Sequence, residues 1–142
     1  MPLAPGTFGS LVGVAIFLGL TRVAAGPVLL LIAILIFIFA GIWAGTRTEE
    51  ISGRKDPGKI VVDEVAGQLI ALLPLLFVSW TITTVMVSFV LFRFFDIVKP
   101  YPANRLQELE GGVGVMCDDL VAGAYAAIIM IVGLGALFYG RT

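Results

Sequence analysis

Residues 65–92 read VAGQLIALLPLLFVSWTITTVMVSFVLF, a run of 28 residues without a charge. As one α-helix the run would extend about 42 Å at about 1.5 Å per residue. That exceeds the roughly 30 Å hydrocarbon core of a bilayer. Pro74 and the polar stretch Ser79–Thr84 lie near its middle, where a chain turns more readily than it continues. A helical hairpin fits if its arms borrow flanking residues, about 61–78 and 82–99, which makes each arm about the length a span requires. The choice decides the fold, because it sets whether the charged segments on either side of the run share one compartment.

Three further runs carry no charge: 1–21, 23–46 and 120–140. The plainest is 28–45, VLLLIAILIFIFAGIWAG, apolar on every face. Of the 19 charges, nine fall in segment 47–64 and eight in segment 93–119, leaving only Arg22 and Arg141 elsewhere. With a hairpin the chain has five spans, and both charged segments share a side with the N-terminus. That side then carries Arg47, Arg54, Lys55, Lys59, Arg93, Lys99 and Arg105, against Arg22 and Arg141 on the other. Cytoplasmic segments are the ones enriched in Lys and Arg, so the charged side is expected to face the cytoplasm. One long span would split the positive charge almost evenly. The sequence thus predicts an all-α, multi-pass membrane helical bundle of about five spans, one domain over residues 1–142. The first run lacks a basic start, which argues against a cleaved signal peptide. No internal repeat or low-complexity tail is visible.

Composition agrees. The chain is 59% hydrophobic and 13% charged, against about 25% charged in soluble domains. A net charge of −1 offers no basic surface for a nucleic-acid backbone, and no nucleic-acid partner is expected. The lone Cys117 cannot form an intrachain disulfide. Histidine is absent, which removes Ser-His-Asp triads, histidine phosphatases and His-ligated zinc.

The chemistry is concentrated in the charged segments. In SGRKDPGKIVVDEVAGQ, 52–68, Asp56-Pro57-Gly58 signals a turn, and Asp63 and Glu64 open an apolar helix at its positive dipole end. Asp63 shares a face with Gly67, and Glu64 with Gln68. Interfacial charges and a helix cap would explain either carboxylate alone. Gln68, one turn deeper, argues for more, since a polar group in hydrocarbon needs a partner. In FRFFDIVKPYP, 92–102, Arg93, Asp96 and Lys99 recur every three residues on one helical stripe, and Pro100 ends the helix. They form either a self-neutralised ladder or an inward polar stripe. In GGVGVMCDDLVAG, 111–123, glycines lead into Asp118-Asp119, expected to cap or open the last helix. Gly123, Ala126 and Ala127 then form a small-residue face. Adjacent carboxylates repel unless a cation is near. In the N-terminal APGTFGSL, 4–11, Gly6, Thr7, Gly9 and Ser10 are expected to precede a helix and meet an anion. Residues 103–110 look like a short amphipathic surface helix without chemistry.

Asp63, Glu64, Asp96, Asp118 and Asp119 therefore lie on one side of the membrane near helix ends. Oxygen-only ligands suit a hard cation such as Mg²⁺. With Lys59, Arg93 and Lys99 in the same motifs, the constellation is that of phosphoryl chemistry.

The blocks APGTFGSL (4–11), DPGKIVVDEVAGQ (56–68), FRFFDIVKPYP (92–102) and GVMCDDLVAG (114–123) resemble, in order and over nearly the whole chain, the phosphatidylglycerophosphatase A family of bacterial membrane lipid phosphatases. Tyr101 stands where many members carry Trp, and Ala103 where a larger apolar residue is common; neither is a charged motif position. The resemblance implies helices packed around a central one. It also implies a Mg²⁺-dependent phosphomonoesterase of the bacterial inner membrane that converts phosphatidylglycerophosphate to phosphatidylglycerol. On this basis Asp63, Glu64, Asp96, Asp118 and Asp119 are expected to hold metal, with Asp63 or Asp119 catalytic as the base. Thr7, Ser10, Lys59, Arg93 and Lys99 are expected to bind the substrate phosphate, and the attack is expected to come from water without a phosphoenzyme.

A small ion-coupled transporter is the contrasting class, since it too uses intramembrane carboxylates. It needs polar groups through the whole thickness, whereas here the far half offers only Ser79, Thr81, Thr83 and Thr84. A cysteine phosphatase needs Arg six residues after its Cys, where this chain has Gly123. The D-x-D of aspartyl-phosphate enzymes is absent, and DDLVAG is too short for the Asp–Gly–Ala–Arg pattern of CDP-alcohol transferases.

Overall fold

The computed structural model describes residues 3–52, 62–77, 81–98, 101 and 111–140. These form five α-helices: α1 (Leu3–Leu20), α2 (Gly26–Ser52), α3 (Val62–Leu72), α4 (Ile82–Val98) and α5 (Gly111–Gly140). A 3-10 segment, Leu73–Phe77, continues α3. Pro74 accounts for that change: it lacks the N–H for an i→i−4 bond and its ring crowds the preceding turn. At the other side of the hairpin turn, Thr81 and Thr84 cap α4 reciprocally. The Thr81 amide donates to Thr84 Oγ1 at 2.9 Å and the Thr84 amide to Thr81 Oγ1 at 3.3 Å, satisfying N–H groups that the first turn leaves without helical partners. The hairpin expected from residues 65–92 is therefore present, with helical arms 62–77 and 82–98.

Among the described residues, two helices are long and apolar enough to cross a membrane, over Gly26–Arg47 and Met116–Leu137, and Thr7–Leu20 is a shorter apolar helix. Only 22% of each long window is buried within the molecule, so these are not the core helices of a soluble protein. Their outer faces carry Leu31, Ile36, Phe39, Trp43, Ile128 and Val132, all exposed.

α3 is the central helix, touching α1, α2, α4 and α5. Contacts along it fix the direction of each neighbour. On α1, Gly13 lies against Gln68 and Phe17 joins Leu72 and Leu75 in the core; α1 thus runs with α3. So does α5, where Asp119 groups with Asp63, Gly123 with Gly67 and Met130 with the Leu72 cluster. α2 and α4 run the other way: Gly41 approaches Asp63 while Leu30 reaches the far core, and Phe92 covers Gly67 while Val85 reaches the same core. The bundle therefore has a carboxylate end and an apolar end. The apolar end is built from Phe17, Leu30, Ile34, Leu69, Leu72, Leu75, Val85 and Met130.

Two local expectations are corrected. Residues 4–11 are not a loop before a helix. α1 begins at Leu3, with Pro5 in the first turn, where its missing N–H costs nothing. Thr7 and Ser10 can therefore offer hydroxyls, not free amides. Nor do Asp118 and Asp119 cap α5, which starts at Gly111. They sit in its interior, so capping does not explain them.

Candidate active site

Asp63, the second residue of α3, is 3% exposed, and its Oδ1 accepts the Glu64 amide at 3.0 Å. Asp119 on α5 is also 3% exposed. Asp63, Glu64 and Asp119 each present a carboxyl oxygen within 4.8 Å of the other two. The Asp119 carboxyl is close enough to Asp63 and Asp96 to interact with both, and Asp118 is close enough to act on Asp63 and Asp119 electrostatically. All five carboxylates named from the sequence thus belong to one neighbourhood at one end of the bundle.

The helix crossing brings them together. Gly67 lies one turn beyond Asp63, and Gly123 one turn beyond Asp119. A Cβ on Gly123 would run into the Gly67 carbonyl oxygen, and one on Gly67 would stand 2.7 Å from the Asp119 carbonyl and 2.5 Å from the Phe92 ring. The two helices cross at backbone contact, and because they run in the same direction, the residues one turn earlier meet side by side. The pentapeptides DEVAG (63–67) and DLVAG (119–123) differ at one residue. This is a short repeat, contrary to the expectation of none, and the spacing it preserves is the one the crossing uses. Gly41 seats α2 against the same end: a Cβ there would collide with Met116 Cε and stand 3.7 Å from the Asp63 amide.

Arg93 and Asp96 are both 8% exposed and form an ion pair of 2.5 Å. One step of the predicted Arg–Asp–Lys stripe is therefore internally neutralised. Asp96 is near enough to act on Asp119, so the Arg93–Asp96 pair borders the carboxylate cluster. Thr7 is half-buried, and Ser10 is fully buried with no hydrogen-bond partner for its Oγ among the described residues. Ser10 lies one turn before Gly13 on the carboxylate side of the α1–α3 contact. Lys59, Lys99 and the expected helix at 103–110 fall outside the described residues.

The donor set tests what could sit among these groups. Three carboxylates this close repel unless protons or a cation lie between them. Oxygens around one Mg²⁺ stand about 2.9–4.1 Å apart, given bonds of about 2.0–2.1 Å. A triangle within 4.8 Å needs only a small contraction to reach that. Hard oxygen ligands without His or clustered Cys fit a hard divalent cation.

The match to known proteins is decisive for the family. Residues 1–134 match the family described as Phosphatidylglycerophosphatase A. The chain belongs to the phosphatidylglycerophosphatase A family. A relative from Haemophilus influenzae named phosphatidylglycerophosphatase A is 38% identical, covering 89% of this chain and 77% of its own. One of the same name from Escherichia coli K12 is 34% identical, covering 91% and 73%. A Bacteroides thetaiotaomicron protein, named provisionally as a phosphatidylinositol-3-phosphatase, is 40% identical, covering 92% and 84%. No solved structure matches the chain. Membership in this lipid phosphatase family accounts for the apolar outer face and implies a phospholipid substrate.

Two features of this phosphatidylglycerophosphatase A family member lie outside the charged motif positions. One is the Gly67–Gly123 crossing, whose signal was the shared D-x-V-A-G spacing. The other is Ser88 on α4, fully buried and the acceptor of the Gln68 amide at 3.5 Å. Its only signal was a hydroxyl within the apolar run 85–92.

Proposed function

We propose that the chain is a Mg²⁺-dependent phosphomonoesterase that hydrolyses phosphatidylglycerophosphate to phosphatidylglycerol and phosphate, working at the cytoplasmic rim of a bacterial inner-membrane bundle. The observation that carries the site assignment is the meeting of Asp63, Glu64 and Asp119 within 4.8 Å in a chain of this family. Asp63, Glu64 and Asp119 hold the ion, with Asp96 and Asp118 completing the acidic environment. When bound there, Mg²⁺ polarises phosphate oxygens and lowers the pKa of coordinated water.

The chain's own groups do the rest. Asp63 or Asp119 accepts the proton of the attacking water. Arg93, held by Asp96, offers its remaining N–H groups to the phosphate. Lys59 and Lys99 add positive charge, and the Thr7 and Ser10 hydroxyls bind phosphate oxygens from α1. No side chain resembles an activated nucleophile: histidine is absent and Cys117 has no Arg six residues on. A single in-line displacement by water follows, and it inverts a chiral phosphate in labelled water. Retention would require a covalent intermediate and would refute the water mechanism.

The test of function is phosphate release by the purified protein from phosphatidylglycerophosphate, phosphatidylinositol 3-phosphate and phosphatidic acid, with Mg²⁺ and with chelator. Release is expected to be fastest from the first and abolished by chelation. The second lipid is included because of the name carried by the Bacteroides relative. The orientation rests on the seven-to-two bias of basic residues. In a Cys117→Ser background, Lys55→Cys and Gln107→Cys should resist an impermeant thiol reagent added outside intact cells. Labelling of either would overturn the orientation.

A further inference from the structure

Gln68 is fully buried, and the phosphatase mechanism makes no use of it. It projects from α3 one turn beyond Glu64, on the same face, toward α1 and α4. Gly13 of α1 lies so close that a Cβ there would stand 3.0 Å from Gln68 Cβ and 3.1 Å from Cγ. On the α4 side its Nε2 donates to Ser88 Oγ across 3.5 Å, and its Oε1 has no partner among the described residues. Ser88 is fully buried as well. Beyond this layer come Leu69, Leu72 and Phe17, which are apolar. An amide placed here loses its hydration, and a buried polar group left without a partner is destabilising, so a polar ligand repays it.

We propose that Gln68, steadied by Ser88, forms a subsite for an alcohol hydroxyl of the lipid head group, between the scissile phosphate and the acyl chains. This rests on the phosphatase reading above and names the part of the substrate that the site selects. The depth agrees: one helical turn is about 5.4 Å, about the distance from a phosphorus atom to a hydroxyl two carbons along the attached glycerol. The chemistry agrees too. Whichever way the amide is oriented, one end faces Ser88 and the other has no partner. A hydroxyl both donates and accepts, so it satisfies either end. A phosphate oxygen would suit only the N–H end, and an ammonium only the oxygen. Phosphatidylglycerophosphate carries such a hydroxyl on the glycerol between its two phosphates. Phosphatidic acid has its phosphate directly on diacylglycerol and carries none. The subsite thus acts on specificity, leaving the reacting atoms to the carboxylate end.

The experiment compares kcat/KM of the full-length protein for phosphatidylglycerophosphate and for its deoxy analogue, in which 1,3-propanediol replaces the bridging glycerol. Wild type should prefer the hydroxylated lipid by about tenfold or more, the ratio that an unpaired buried polar group produces. Gln68→Met should bring the ratio close to one, mainly by slowing the hydroxylated lipid. Ser88→Ala, a smaller change in packing, should reduce the ratio part of the way. Equal rates on the two lipids by wild type would overturn the subsite and leave the phosphatase reading standing. So would a ratio that survives both substitutions. Release of phosphate from neither lipid by wild type would overturn the phosphatase reading itself, and the subsite with it.

Discussion

The same helices build two unlike ends. At one, α3 and α5 meet through Gly67 and Gly123 and set Asp63, Glu64 and Asp119 together. At the other, Leu69, Leu72, Leu75, Val85 and Met130 pack with Phe17 and Leu30. The apolar end pairs no charges and gains from close packing. The carboxylate end collects like charges that oppose one another, and it persists because the helices above it are held in register. Binding at the first end is thus supported by packing at the second. Substitutions at the two ends should separate activity from stability.

The largest effect is expected on activity. Asp119→Asn and Asp63→Asn each keep the side-chain shape but remove a carboxylate from the triangle. Each should lower kcat by about 10²–10⁴-fold, the range for loss of a positioned acid–base group. Neither should lower the thermal midpoint measured with chelator in detergent, because one repelling charge has gone. An Asn variant with full Mg²⁺-dependent activity would remove that residue from the site.

Leu72→Ala addresses the opposite end. Leu72 is fully buried, and truncations of this kind cost about 2–5 kcal/mol. The cost should appear in the unfolding midpoint, while kcat below that midpoint stays near wild type. A large fall in kcat without a loss of stability would show that the ends are not separable.

The division into ends was legible in the sequence, and some of its details were not. Charge distribution alone assigns Asp63, Glu64, Asp96, Asp118 and Asp119 to one side, because an apolar medium leaves charged residues few places to go. Parity around Pro74 and Ser79–Thr84 yields the hairpin, and the motif blocks yield the family. Local signals misled where packing overrides propensity. Pro5, Gly6 and Gly9 suggest a loop yet lie in α1, and the glycines from 111 onward suggest a flexible lead yet lie in α5. The stripe at Arg93 and Asp96 was ambiguous between ladder and ligand, and the structure has it as a buried pair that also reaches Asp119. The crossing at Gly67 and Gly123 requires knowing which helices touch, and spacing within one helix does not contain that.

Glycines along α5 turn the comparison into one of sign. At Gly123 a Cβ has no room, since the Gly67 carbonyl occupies its place. Gly123→Ala must push α3 and α5 apart, at about 1–3 kcal/mol for overpacking. Because Asp119 lies one turn away, kcat should fall as well. A variant as stable and active as wild type would show that the helices do not cross at backbone contact.

The smallest expected effect has the opposite direction. Gly133 and Gly135 lie on the same helix, toward the apolar end, and no described atom comes within 4 Å of a Cβ built on either. Their neighbours Ile131 and Val132 are exposed, so this side of the helix is expected to face lipid. An alanine at either position has open space and is favoured in a helix interior over glycine by about 0.8–1.0 kcal/mol. Gly133→Ala and Gly135→Ala should therefore raise the unfolding midpoint slightly and leave kcat unchanged, while the identical replacement at position 123 lowers both. The measurement is thermal unfolding of the three variants side by side in one detergent, with activity assayed on the same samples. Destabilisation by alanine at 133 or 135 would mean that this face is covered in the working protein, and the assignment of the outer side of α5 to lipid would fall with it.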